Sequence, residues 1–335
     1  MKIAIVGAGA IGGFLGARLA LAGEEVTCIA RGPNLAAIQA HGLKLIEEDG
    51  TERHAPNVKG VQKMADAGPQ DVVLLTLKAH QVKDVLPDMR ALFGPDTVVV
   101  TMQNGIPWWY FHRLAGPWEG RAVDSVDPGG IVAANIEVGR VIGSVVYPAS
   151  ELAAPGVIKV IEGNRFTLGE LDGSKSPRLE ALAQTLIRAG FKAPVSTDIR
   201  SEIWLKLWGN LSFNPISALT HATLVDICQF PMTRELAASM MREAQAVAEK
   251  LGVKFKVSLD KRIAGAEAVG KHKTSMLQDV ESGRPLELEA LVGSVRELGR
   301  VTDTPTPTID AIYACASLLA KTLGEQNGRL AVAAR

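Results

Sequence analysis

An apolar run, Ile3-Ala4-Ile5-Val6, ends in Gly7-Ala8-Gly9-Ala10-Ile11-Gly12 and passes straight into a helical pattern from Phe14 to Ala22. No other feature constrains the fold of this chain as strongly. A strand that runs into a Gly-x-Gly-x-x-Gly turn and then a helix leaves backbone N–H groups and the positive end of the helix dipole facing outward, a seat for a pyrophosphate. Gly7 allows the tight turn, Gly9 lets backbone approach a phosphate without a Cβ between them, and Gly12 lets the helix lie close to the strand. A second strand, Glu25 to Ala30, follows at the expected interval. The layout predicts a dinucleotide-binding βαβ unit; the plainer alternative is a tight strand–helix turn.

The tip of that second strand bears on which dinucleotide. NAD sites commonly place Asp or Glu there for the ribose 2′-OH. This chain reads Val26-Thr27-Cys28-Ile29-Ala30-Arg31, with a guanidinium and no acid. Arg31 suits a 2′-phosphate, bound bidentately, and favours NADP(H). A solvated loop charge is the alternative.

With 335 residues there is room for two cores, and 47% hydrophobic with 21% charged residues is an ordinary globular balance. Lysines and arginines total 36 and so do aspartates and glutamates, which gives no electrostatic footprint for nucleic acid or an anionic membrane. Cys28, Cys228 and Cys315 show no paired spacing, and the six histidines form no ligand-spaced pair, so neither disulfides nor a metal is expected. The start lacks a secretory-signal layout, and no apolar run is long enough to span a bilayer. A cytoplasmic protein is expected.

The first half alternates β-branched runs with helical stretches. Asp71–Leu77 and Thr97–Thr101 read as buried parallel strands, with a helix between them around Gln81 to Phe93. From about Arg121 to Glu170 come short runs punctuated by Gly, Pro and Asn: Ile131–Ala133, Arg140–Tyr147, Gly156–Val160 and Arg165–Gly169. These are expected as antiparallel additions to the same sheet. A helix near Arg178–Ala189 and a strand near Ala193–Ser196 close the first half. Helices are then expected near Asp198–Asn214, Thr233–Leu251, Leu259–Ala268, Glu287–Gly299 and Thr308–Leu323. The expected fold is α/β: an N-terminal Rossmann-type doubly wound sheet with antiparallel additions (1–196), a C-terminal all-helical domain (197–325) and a tail (326–335).

Several side chains fall where chemistry is done. Ligands of doubly wound sheets sit beyond the carboxyl ends of the strands. Lys78 follows one such strand and Asn104 another. They suit a phosphate or carboxylate and a ribose or carbonyl respectively; the alternatives are a solvated lysine and an Asn-Gly turn. In Ile203-Trp204-Leu205-Lys206-Leu207-Trp208-Gly209-Asn210-Leu211-Ser212-Phe213-Asn214, the residues Lys206, Asn210 and Asn214 share one helix face among apolar neighbours. A desolvated lysine there is suited to proton transfer, and a snorkelling lysine is the alternative. Ser275 with Gln278 reads as a capping box opening a helix, which can also seat a carboxylate. Glu287 and Glu289 open another helix, as helix-dipole partners or with one of them paired to Lys206.

Together, Gly7-x-Gly9-x-x-Gly12, Arg31, Thr76-Leu77-Lys78, Asn104-Gly105, Lys206 with Asn210 and Asn214-Pro215, and Ser275-Met276-Leu277-Gln278-Asp279 resemble the ketopantoate reductases (2-dehydropantoate 2-reductases), from residue 1 to about 323. The resemblance implies NADPH-dependent reduction of a 2-oxo acid to a 2-hydroxy acid in pantothenate biosynthesis. It implies Lys206 as general acid and Asn210, Asn214 and Ser275 as substrate contacts. Lys78 and Asn104 would lie where nicotinamide ribose meets substrate, and Glu287 near cofactor and lysine. A homodimer through the helical domain is a further expectation.

Three places depart from the family pattern: Thr223-Leu224, Val292, and the bulky run Trp108-Trp109-Tyr110-Phe111. They are expected to reshape the pocket lining and open the way to a bulkier 2-oxo acid. A dehydrogenase for a β-hydroxy acid or an opine, and a non-catalytic NADP(H)-binding sensor, are the other readings.

Overall fold

The computed structural model describes residues 1–326 and Gly328. Apart from Gln326 and Gly328, the tail expected over 326–335 lies outside the described residues. The chain divides into two compact units. The first holds Met1–Gln103, Pro107–Ala122 and Asp127–Glu202; the second holds Asn104–Ile106, Val123–Val126 and the chain from Ile203 onward.

The first unit carries, in chain order, β1 (Lys2–Val6), α1 (Ala10–Leu21), β2 (Glu25–Ile29), α2 (Gly32–His41), β3 (Leu43–Ile46), β4 (Glu52–Ala55), β5 (Lys59–Val61), β6 (Gln70–Leu75), α3 (Leu86–Met89) and β7 (Phe93–Thr101). It continues with α4 (Ile131–Asn135), β8 (Val141–Val146), β9 (Ala149–Ala154), β10 (Val157–Glu162), β11 (Phe166–Gly169) and α5 (Pro177–Arg188). A seven-stranded sheet runs β11-β8-β7-β6-β1-β2-β5, parallel except for the β11–β8 pair. Its central strands β1 and β6 are apolar almost throughout, as strands covered on both faces must be. Phe14 of α1 meets Phe191 edge-on at 5.1 Å, and Phe191 meets Phe166 of β11 at the same distance.

Several expectations need correction here. A second sheet, β4-β3-β10-β9, takes the run expected at Gly156–Val160 away from the main sheet. The run at 140–147 joins the main sheet in parallel, as β8 on β7. Ile131–Ala133 is helix, because the Asp127 carboxylate accepts the Val132 and Ala133 N–H groups at 2.7 and 3.0 Å and caps that turn. The stretch from 81 to 93 is a chain of short turns around α3, where Pro87 supplies no N–H. The strand near 193–196 is a single bridge, Val195 to Leu168.

The second unit contains most of α6 (Ile199–Thr220), then α7 (Leu224–Gln229), α8 (Pro231–Lys250), α9 (Leu259–Ala268), α10 (Ser275–Glu281), a π-helical turn at Glu289–Gly293, α11 (Ser294–Val301) and α12 (Pro307–Glu325). α8 buries Ala237, Met240, Met241, Ala244, Val247 and Ala248 at helical spacing. α6 continues six residues past Asn214 in spite of Pro215, its far end buried through Ile216, Ser217 and Ala218.

The division between units falls after Glu202, six residues beyond the expected boundary at 196. The first turn of α6 packs with the sheet. Ile199 fills the space over Gly143 and Gly169. The buried Arg200 guanidinium donates to the carbonyls of Tyr110, Leu171 and His112 at 2.5–2.7 Å.

Candidate active site

In the first unit the candidate residues gather at the carboxyl end of β1. Gly7 has φ +102°, and a Cβ there would lie 2.7 Å from the Leu77 side chain. A Cβ on Gly12 would meet the Gly7 carbonyl oxygen at 2.2 Å and the Thr76 hydroxyl at 2.6 Å. A Cβ on Gly9 would meet nothing within 4 Å, so that residue borders open space. Gly9 caps α1 with no side-chain hydrogen bond to the first turn. Ala8 and Gly12 are buried, Ala10 and Ile11 half-buried.

Two residues hold this loop: Thr76, to which the sequence assigned no separate role, and Asn34, which it did not single out. Thr76 Oγ1 donates to the carbonyls of Gly7 at 2.7 Å and Val6 at 3.1 Å. Asn34 Nδ2 donates to the Ala8 carbonyl at 2.6 Å, while its Oδ1 accepts the Gly156 N–H at 2.8 Å. Asn34 thus ties the loop to the turn between β9 and β10. A short polar residue in the first turn of α2 was the available signal. Arg31, exposed, caps α2 just past β2. Lys78 is half-buried and opens the turn after β6, its N–H donating to Gln81 Oε1 at 3.2 Å. Gln103 Nε2 joins the ends of β6 and β7 by donating to the Leu75 and Leu77 carbonyls at 2.7 and 3.0 Å.

In the second unit, α6 carries Lys206, Asn210 and Asn214 over two turns, about 12 Å of rise. Lys206 lies between the buried Trp204 and Trp208, and Trp208 Nε1 donates to the Met241 carbonyl at 2.7 Å. Lys206 Nζ donates to Asn104 Oδ1 at 2.6 Å, joining residues 102 apart in sequence. Desolvation pulls the Lys206 ammonium down from 10.5 to about 8, and the nearby Glu287 carboxylate works in the opposite sense. Two turns along, the buried Asn214 extends Nδ2 to Ser275 Oγ at 3.4 Å. Asn210, half-buried, sits midway.

Ser275 is not the helix cap that the sequence suggested. Thr274 caps α10, its hydroxyl accepting the Leu277 N–H at 3.2 Å, and Ser275 is the first helical residue, exposed. Its hydroxyl is therefore released from capping. Glu289 pairs with Tyr313, whose hydroxyl donates to it at 2.6 Å.

Each of the three departures has a definite place in the fold. Trp109, Tyr110 and Phe111 are at most 1% exposed and Trp108 is 7% exposed; Trp109 Nε1 donates to Thr101 Oγ1 at 2.8 Å, and its ring covers Gly143. Val292 is fully buried in the π-helical turn. Thr223 caps α7 in a reciprocal box with Asp226. No helix among the described residues is long and apolar enough to cross a membrane.

Known proteins share this sequence pattern and fold. Residues 3–108 match the family model for ketopantoate reductase PanE/ApbA, and residues 198–320 match the model for its C-terminal domain. A curated 2-dehydropantoate 2-reductase from Mesorhizobium japonicum is 57% identical over 96% of this chain and 98% of its own length. The crystal structure of a candidate ketopantoate reductase from Ralstonia solanacearum MolK2 superposes with a TM-score of 0.91, at 43% identity over 96% of this chain and 98% of that one. That of 2-dehydropantoate 2-reductase from Geobacter metallireducens GS-15 gives 0.83, at 28% identity over 95% and 99%. With both halves matched and a close relative aligned nearly end to end, the chain belongs to the ketopantoate reductase family.

Proposed function

We propose that this chain reduces a 2-oxo acid to the 2-hydroxy acid with NADPH, and that 2-dehydropantoate is its substrate. The observation that carries the reading is Lys206. It is a desolvated ammonium whose pKa of about 8 lies close to neutral pH, and it is aimed by Asn104 on a helix face shared with two further amides. That the 57% identical relative is a 2-dehydropantoate 2-reductase supports the choice of acid.

The residues present fit the dinucleotide. The Gly9 side of the loop is open, α1 begins without a side-chain cap, and Thr76 and Asn34 occupy the carbonyls of Gly7 and Ala8. Gly7-Ala8-Gly9-Ala10-Ile11-Gly12 would hold the pyrophosphate, Arg31 the 2′-phosphate and Lys78 the nicotinamide ribose. When bound, NADPH supplies the hydride. Lys206 Nζ gives its proton to the substrate's carbonyl oxygen, so that no full alkoxide charge develops, and is reprotonated from water. Asn210 and Asn214 hold the polar groups of the acid, and Ser275 Oγ, free of capping, donates to its carboxylate. Glu287 keeps Lys206 protonated near neutral pH.

With the aromatic run and Val292 in the core, nothing specific favours a bulkier acid. The test is NADPH oxidation against a panel of 2-oxo acids, with Lys206→Ala as control. Turnover of 2-dehydropantoate that falls by about 100- to 10,000-fold in the variant is expected. Absence of turnover with every acid, or an unaffected variant, refutes the assignment.

A further inference from the structure

Asn104 does not reach Lys206 by chance of loop conformation. The next residue, Gly105, has φ +88°, and a Cβ built there lands 2.0 Å from the Ala290 carbonyl oxygen and 2.5 Å from its carbon. Ile106 N–H donates to the same oxygen at 3.0 Å, and the buried Ser294 donates to it through Oγ at 2.8 Å. Ala290 lies in the π-helical turn, where the Ser294 N–H bonds to Glu289, five residues back. An α-helical turn would have sent that N–H to Ala290 instead. The bulge therefore turns one helical carbonyl over to the crossing segment Asn104–Ile106, and only a residue without Cβ fits against it.

We propose that Gly105, seated on the Ala290 carbonyl, is a positioning residue that aims the Asn104 amide at Lys206, with the Ser294 hydroxyl fixing the seat. The proposal rests on Lys206 as the proton donor. It does not require that the acid be known. Asn104 is presented from a loop and Lys206 from α6, so their 2.6 Å contact depends on where that loop is fixed. A Cβ at 105 meets backbone, which cannot swing aside as a flexible side-chain end would.

The test reads Lys206 directly, by NMR titration of protein labelled with 13C at lysine Cε, the resonance being assigned through its loss in Lys206→Met. The set is wild type, Gly105→Ala, Asn104→Ala, the double variant and Ser294→Ala. Asn104 Oδ1 accepts from the ammonium and so favours the charged form; losing that bond moves the midpoint down. Gly105→Ala and Asn104→Ala are each expected to raise the acid dissociation constant by roughly three- to tenfold, and the double variant to add nothing further. Ser294→Ala shifts in the same direction by less. A folded Gly105→Ala protein with the wild-type midpoint, an upward shift, or additive effects in the double variant overturns the proposal. Should Gly105→Ala fail to fold by circular dichroism, an unshifted Ser294→Ala midpoint overturns it equally. Turnover, measured in parallel, separates the two questions: wild type inactive on every acid removes the proposed reaction, while the titration still decides the seat.

Discussion

Lys206→Met should make the protein inactive and, near neutral pH, more stable. The distance from 10.5 to about 8 corresponds, at ~1.36 kcal/mol per pH unit, to roughly 3 kcal/mol of unfavourable charge burial. Below about pH 8 both folded and unfolded chains carry the ammonium, and the folded chain bears the full cost. Between about 8 and 10.5 the unfolded chain holds a proton that the folded chain has released, so wild-type stability climbs with pH across that window. Methionine keeps the length of the side chain and removes the charge. Asn104 and Glu287 lose their partner, which offsets roughly 1 kcal/mol. The expected net gain is about 2 kcal/mol at pH 7, which shifts Tm by roughly 4–8 °C for a cooperative unit of 150–250 residues. The gap closes by ~1.36 kcal/mol per unit above pH 8 and vanishes near about pH 9.5. Paired thermal and urea unfolding of wild type and variant from pH 6 to 10 measures it. A gap that stays flat over that range, or a variant less stable at pH 7, refutes the claim that Lys206 is held charged at a cost.

Arg31→Ala should raise KM for NADPH by about 10- to 100-fold, the worth of a charge-assisted pair, and leave NADH unchanged; equal effects on both cofactors remove the 2′-phosphate assignment. Thr274→Ala should lower stability by about 1 kcal/mol with little kinetic effect, because it deletes the α10 cap. Ser275→Ala should do the opposite, raising KM for the acid without moving Tm, and an exchange of these two outcomes would contradict the division of roles. Glu287→Gln removes the charge that lifts Lys206, so the alkaline limb of kcat/KM should move to lower pH. A limb that stays put would mean that Glu287 does not act on the lysine.

What could be read from the residues follows from what each element is buried against. β1 and β6 were legible because burial on both faces writes a continuous apolar run. The second sheet was not. β4 reads Glu52-Arg53-His54-Ala55 with three residues exposed, and β9 is exposed over its last four, so neither bears the mark of a strand. α4 does not show in its own residues because Ile131-Val132 is β-branched, while the group that decides it, Asp127, stands outside the segment. On α6 the spacing of Lys206, Asn210 and Asn214 survives in the helix, since periodicity is a local property. The pairing of Lys206 with Asn104 is not local, and no window of sequence contains it. Ser275 and Thr274 show the finest limit: adjacent hydroxyls compete to cap one helix, and backbone geometry chooses between them. The aromatic run Trp108–Phe111 misled for a related reason, since bulk looks the same in sequence whether it lines a cavity or fills a core.

Trp204 and Trp208, either side of Lys206, give the second unit a built-in optical probe. The other three tryptophans, Trp108, Trp109 and Trp118, all belong to the first unit. Replacing those three by phenylalanine would confine indole emission to α6. Because a tryptophan's emission responds to its immediate surroundings, the two remaining rings, both buried, would report on the packing of α6 without any turnover. The helix that carries the proposed proton donor can thus be followed by light alone, in the absence of cofactor.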